Sequence, residues 1–130
     1  MVVDQKTWGK MIWYLFHAIA HKIKESEFNN IKSQLEWLVK TICSNLPCPD
    51  CTQHASKLLQ RIDINKLNSK EEFKKTIFNF HNVINIKLKK PIFKYEELDS
   101  KYSNINIITV YDNFIKVFTH KNNIPQLMVA

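Results

Sequence analysis

Apolar residues recur along most of this chain at the three-and-four spacing of amphipathic helices, in blocks separated by short polar links. In the first block Trp8, Met11, Ile12, Leu15, Phe16, Ile19 and Ile23 form one stripe, with Lys10, Lys22 and Lys24 mostly outside it. That stripe predicts a helix from a cap at Asp4 to about Glu25. Trp13 and His17 stand four residues apart on a face beside the stripe, where a Trp and a His serve the core as readily as a ligand. A second helix is expected to start at Asn29 or Asn30, turn Ile31, Leu35, Leu38, Val39 and Ile42 inward, and be ended by Pro47. Pro49 suits the first position of a third helix that reaches about Ile62 through Ala55, Leu58 and Leu59. Ser69-Lys70-Glu71-Glu72 has the form of a capping box and opens a fourth helix, expected to run to Leu88 with Phe73, Ile77, Phe80 or His81, Ile84 and Leu88 on one side. A short helix from about Glu96 to Tyr102 follows, then a further amphipathic stretch from Ile107 to His120 through Val110, Phe114, Val117 and Phe118. Residues from Lys121 onward read as a tail.

The expected fold is therefore all-α: a four-helix bundle plus a short fifth helix, with an extra C-terminal helix. Composition agrees, because one glycine and four prolines are too few for the turns of a sandwich or barrel. At 130 residues the chain is one domain, long enough to bury roughly two-thirds of its unfolded surface without help from a disulfide. No apolar run approaches the ~18 residues of a membrane span, and Met1-Val2-Val3-Asp4-Gln5-Lys6 does not read as a cleavable signal, so an intracellular location is expected. The net charge of +7 attracts polyanions or an acidic partner, but the lysines are scattered rather than clustered, which disfavours a dedicated nucleic-acid surface. A basic helical binding module with incidental cysteines is the alternative reading.

Cys48-Pro49-Asp50-Cys51 changes that picture. Two thiols two residues apart at a helix start can close into a small disulfide, and the helix N-terminus favours a thiolate there. Three cysteines are too few for a disulfide scaffold, so the close pair reads as redox or metal chemistry. A zinc set of Cys43, Cys48, Cys51 and His54 would strain the helix start. Haem attachment needs a histidine where Thr52 stands, and a thioredoxin-like motif needs a preceding strand where a helix is expected. A helical redox disulfide remains, and its electrons need an acceptor. Apolar and aromatic groups on the first and fourth helices suit a planar cofactor, while His81, Asn82 and Asn85 form a polar group on the fourth helix that also suits a hydrogen-bonded cluster between helices. Cys43 alone reads as a buried small apolar residue.

Three motifs in order carry a family resemblance: Trp8-Gly9-Lys10 followed by Trp13 and His17; Leu46-Pro47-Cys48-Pro49-Asp50-Cys51 followed by His54; and His81-Asn82-Val83-Ile84-Asn85 followed by Leu88, Lys90-Pro91 and Phe93. From Trp8 to Tyr102 the chain resembles the Erv/ALR family of FAD-linked sulfhydryl oxidases, particularly the short forms of large DNA viruses. The resemblance implies FAD in the bundle, contacted by Gly9, Lys10, Trp13 and His17 on the first helix and by His81, Asn82, Ile84, Asn85, Leu88 and Lys90 around the fourth. Phe93 would flank the flavin region, Lys10 would pair with the phosphates, and Tyr102 would take the place of a tryptophan against the adenine. It implies residues 1–105 as the oxidase domain and 106–130 as an extension. In the implied relay a reduced client attacks Cys48, Cys51 delivers two electrons to the flavin, and dioxygen is reduced to hydrogen peroxide; His54 tunes or shields the pair. Tyr95 stands where many cellular relatives carry a cysteine of a second disulfide, so that brace is absent. With no separate cysteine shuttle, the expected partner is a dithiol client or a thioredoxin-like Cys-x-x-Cys carrier reaching Cys48 directly. A homodimer and action in a host cytoplasm or virion are further implications of the resemblance.

Overall fold

The computed structural model describes residues 5–46 and 48–118, with side chains from residue 8 to 116. Among the described residues there are six α-helices and no strand: α1 (Gln5–Lys22), α2 (Phe28–Cys43), α3 (Pro49–Leu59), α4 (Lys70–Lys87), α5 (Glu97–Tyr102) and α6 (Ile107–Phe118). The all-α architecture follows the apolar stripes. The Asp4 cap, Pro47, and the tail from Lys121 lie outside the described residues, as does the expected end of the last helix at His120.

Helix α1 is the centre of the fold, with α4, α5 and α6 all packed on it, while α2 packs on α3. Phe16 and Leu15 of α1 are buried, and His17 beside them is 1% exposed, so a polar residue lies within the core. The helix stops at Lys22, three residues before the expected end, because Lys24 is extended and Glu25–Glu27 form a 3-10 turn. That turn has a long-range purpose. The Glu25 carboxylate accepts the backbone N–H of Lys70 at 2.9 Å, and Lys70 Nζ donates to the His21 carbonyl at 2.7 Å, so the end of α1 satisfies groups at the start of α4.

Helix α2 begins at Phe28 rather than at an asparagine cap, since the 3-10 turn leads directly into it with no side-chain cap. Phe28 is 0% exposed and meets Phe73 of α4 at 5.9 Å between ring centroids. Helix α4 has the expected cap: Ser69 Oγ accepts the Glu72 N–H at 3.1 Å, while the Glu72 carboxylate reaches back to the N–H of Asn68 at 2.6 Å. Its C-terminus is a Schellman motif, with Lys90 N–H donating to Asn85 O at 2.8 Å and Lys89 N–H to Ile86 O at 3.1 Å. Lys89 has a φ of 59°, the left-handed conformation usually given to glycine. The amphipathic stretch after α5 is helical: Phe114 is buried and α6 covers α1. Among the described residues no helix is long and apolar enough to cross a membrane.

Candidate active site

Pro49 opens α3 because its fixed φ suits the first helical position and its missing N–H leaves one fewer donor unpaired. Cys48 precedes it as the N-cap in extended conformation, and its Sγ accepts the Cys51 N–H at 3.3 Å. Cys48 and Cys51 are joined as a disulfide with Cα atoms 5.2 Å apart. Thr52 ties the preceding loop to the helix: its Oγ1 accepts the Leu46 N–H at 3.0 Å and donates to the Leu46 carbonyl at 3.4 Å. Cys43 is buried and free of a disulfide, and burial pushes its thiol up to about 12, so it stays protonated. Among the described residues no three His, Cys, Asp or Glu side chains gather as a metal-ligand set.

One cysteine of the pair borders a cavity of about 350 Å³ that runs between α1, α4 and α5. Cys51 and His54 of α3 line one part of its wall, and Cys48 does not line it. Gly9, Lys10 and Trp13 line it from α1; His81, Ile84 and Asn85 from α4; Leu88 and Lys90 from the turn after α4; and Tyr102 from α5. Eleven residues selected from the sequence, contributed by five parts of the fold, thus surround one space. Leu88, 43% exposed, is at its surface rather than in the core stripe expected from periodicity.

His17, Asn82 and Phe93 do not line the cavity and instead stand behind its wall. His17 Nε2 and His81 Nδ1 share a hydrogen bond of 2.9 Å. The His81 ring lies between that bond and Trp13, with which it stacks at 4.0 Å and 8°. His17 stacks in turn on Tyr102 at 4.4 Å and 21°, so one face of the tyrosine expected to meet adenine is covered by protein. Asn82 holds the segment after α4: its Nδ2 donates to the Phe93 carbonyl at 2.9 Å, and its Oδ1 accepts the Phe93 N–H at 3.2 Å. Asn85 Nδ2 donates to the same oxygen at 3.3 Å. The segment is secured further by Tyr95, whose ring meets Phe78 edge-on at 5.3 Å and whose hydroxyl donates to the Glu71 carboxylate.

Electrostatics divide the cavity into a neutral wall and a cationic rim. Burial, aided for His17 by the neighbouring His81, lowers both histidines to about 3, so the pair is uncharged at neutral pH. Burial pushes the Tyr102 hydroxyl up from its ordinary range, with the neighbouring Tyr14 adding to the effect. Lys10, Lys87, Lys90 and Lys101 contribute positive charge to the lining. Lys101 also lies over the rings of Phe93 and Tyr102, 5.7 and 5.4 Å from their centroids. Lys87, Lys101 and Tyr14 were not distinguishable as site residues by periodicity; their signal is adjacency to Leu88, Tyr102 and Trp13. Trp8, read as core, is both buried and part of the wall.

These walls suit a long ligand with flat aromatic rings and phosphate groups. A methyl group added at Gly9 would meet nothing within 4 Å, so no protein neighbour requires glycine inside this helix. The open space beside it belongs to the cavity. Bare backbone there leaves room for something other than protein, at a position where glycine weakens the helix.

The model of the Erv1 / Alr family matches residues 10–103. A protein of African swine fever virus named FAD-linked sulfhydryl oxidase is 32% identical over 106 residues, spanning 79% of this chain and 86% of its own. One of Invertebrate iridescent virus 6, named "Putative FAD-linked sulfhydryl oxidase 347L", is 32% identical over 96 residues, or 69% of this chain and 86% of its own. FAD-linked sulfhydryl oxidase ERV1 of Arabidopsis thaliana is 25% identical over 103 residues, 79% of this chain and 53% of its own.

Proposed function

This chain belongs to the Erv1 / Alr family, and we propose that it is an FAD-dependent thiol oxidase in which Cys48–Cys51 takes electrons from a dithiol client and the α1–α4–α5 cavity holds FAD. The observation that carries the site assignment is the division of the disulfide: Cys51 opens into the aromatic cavity and Cys48 does not.

A client thiolate attacks Cys48 Sγ, the Cys48–Cys51 bond breaks, and Cys51 leaves as a thiolate. The second client thiolate attacks the mixed disulfide at the client's sulfur, so that the client departs oxidised and Cys48 is released. Both sulfurs are now reduced, and two electrons have entered the protein. The Cys51 N–H and the start of α3 favour the thiolate on Cys48, whereas Cys51 is the cysteine that borders the cavity. The chemistry FAD supplies when bound is acceptance of those two electrons and their delivery to dioxygen, which becomes hydrogen peroxide.

The chain's own residues bind and orient. Trp13, stacked on His81, offers a flat apolar wall, and Gly9 admits the ligand close to the α1 backbone. Lys10 and Lys90 pair with phosphates, while Ile84, Asn85 and Leu88 shape the α4 side and Tyr102 closes the far wall. His17 fixes His81 and Tyr102 from behind, and Asn82 fixes Phe93; these three expected contacts act through neighbours. His54, one turn beyond Cys51, tunes or shields the sulfur. The oxidase unit spans residues 1–105, with 106–130 as an extension, a division supported by the end of the family match at residue 103, while the packing of α6 on α1 favours an extension that belongs to the same compact unit. The partners are a dithiol protein or a Cys-x-x-Cys carrier and a second copy of the chain, acting in a host cytoplasm or virion.

The test is spectroscopic and kinetic. Purified protein should show flavin absorbance and consume oxygen in the presence of a dithiol, and Cys48→Ser and Cys51→Ser should each abolish turnover while retaining FAD. Folded protein that takes up no added FAD would sink the proposal.

A further inference from the structure

Helix α5 brings Lys101 and Tyr102 to the cavity wall, and six residues do not hold a helix by themselves. Leu98 and Tyr102 anchor it by burial. Its polar anchor is Asp99, whose Oδ1 lies 3.0 Å from both His21 Nε2 and Lys74 Nζ. The other ring nitrogen of His21, Nδ1, lies 3.0 Å from the backbone oxygen of His17. Both oxygens can only accept, so both ring nitrogens are satisfied together when each carries a hydrogen. The His21 side chain is 6% exposed and its ring centroid is 6.0 Å from that of Tyr102. Just past α5, Lys22 Nζ donates to the Ser103 carbonyl at 2.8 Å, closing the same seam from the next residue of α1.

We propose that His21 is a positioning residue for the cofactor: doubly protonated between the His17 carbonyl and Asp99, it fixes α5 and thereby holds Lys101 and Tyr102 at the FAD cavity. The inference rests on the FAD reading of that cavity. It places the clamp one helical turn beyond His17, which itself stacks on Tyr102, so α1 holds α5 by a ring stack and by an ion pair. The charged and titratable groups facing His21 are His17 from α1, Lys70 and Lys74 from α4, and Asp99 and Tyr102 from α5, with Lys22 adjacent. His17 is lowered to about 3, Asp99 is held below its ordinary value by Lys74 and His21, and Tyr102 is raised. The clamp therefore acts on the cavity only through α5, and its signature is a coupling between His21 and the α5 residue Lys101 in their effects on FAD affinity.

FAD-loaded wild type, His21→Gln and Asp99→Asn are serially diluted at one pH, and released flavin is read by its fluorescence. Each variant should hold FAD about tenfold more weakly than wild type, as loss of a charge-assisted contact predicts. The double variant should be no weaker than the weaker single one, because both remove the His21–Asp99 contact. Lys101→Ala should cost affinity in wild type and much less in His21→Gln, because the clamp acts through the placing of Lys101. Wild-type affinity in both variants, or an undiminished Lys101→Ala loss in His21→Gln, overturns the proposal while leaving the oxidase reading intact. Wild type that holds no FAD overturns both. If His21→Gln does not fold, Asp99→Asn, altered at a carboxylate that is 75% exposed, decides the question by its affinity and by the same pairing with Lys101→Ala.

Discussion

The buried His17–His81 pair makes the fold sensitive to mild acid. Both rings are held near 3 from an ordinary value of 6.5, burial being the main cause, so the folded chain binds neither proton at pH 5 while the unfolded chain binds nearly both. Stability therefore rises with pH wherever the unfolded state carries more protons: the contribution is complete above about 6.5 and is lost as pH falls toward 3. Each histidine costs 1.36 kcal/mol per pH unit below its unfolded value, or about 2 kcal/mol at pH 5, and the pair costs about 4 kcal/mol. Set against a total stability of about 5–15 kcal/mol, it is a large fraction.

Urea unfolding of the FAD-free chain at pH 7.5 and pH 5 measures the effect. With an m-value of about 2 kcal/mol per molar, the midpoint should fall by about 2 M. Asp99, lowered from its ordinary value, does not titrate in this interval. His81→Gln, which retains a side chain able to hydrogen-bond to His17, should show about half the fall. A midpoint unchanged between the two pH values, or an undiminished fall in His81→Gln, would refute the reasoning.

Gly9→Ala should raise the melting temperature of the FAD-free protein, since alanine adds about 0.5–1 kcal/mol of helix propensity and its methyl group meets no protein atom within 4 Å. The same change should weaken FAD binding in a flavin-fluorescence titration; unchanged affinity would remove Gly9 from the cofactor wall. Lys89→Gly should stabilise the chain by about 0.5–1 kcal/mol, because it relieves a side chain in the left-handed region at φ 59° while giving back some unfolded-state entropy. Thermal unfolding checks this, and a lower melting temperature would contradict it.

The helices were legible where apolar stripes coincided with chemical punctuation. Ser69 with Glu72 and Pro49 after Cys48 fixed the starts of α4 and α3, and both hold in the structure. The junction of α1 and α2 was not legible, because its determinant is 45 residues away: Glu25 turns back to receive the Lys70 N–H, and α1 ends early for that contact. No local propensity encodes such a partner. In α6, Ile107, Ile108, Thr109 and Val110 weaken the helix locally, and burial of Phe114 together with packing on α1 overrides them.

The site was legible as a set of residues and less so as a set of distances from the ligand. Helical spacing places His17, His81, Asn82 and Asn85 on faces that converge, but does not tell whether a polar atom meets a ligand or another side chain. In the structure Asn85 lines the cavity, whereas Asn82, three residues earlier, holds the peptide of Phe93. His81 lines the cavity and His17 supports it from behind. The wall is therefore two layers deep: Trp13 and His81 stack at the space, His17 hydrogen-bonds to His81 from behind, Phe93 meets His81 edge-on, and Tyr102 stacks on His17. A cavity supported in this way couples cofactor binding to the integrity of α5, since Tyr102 belongs to both the wall and its support. The acid sensitivity of the histidine pair and the hold of His21 on α5 act on this same stack from opposite ends, so variants that loosen either should lose FAD before they lose helix content.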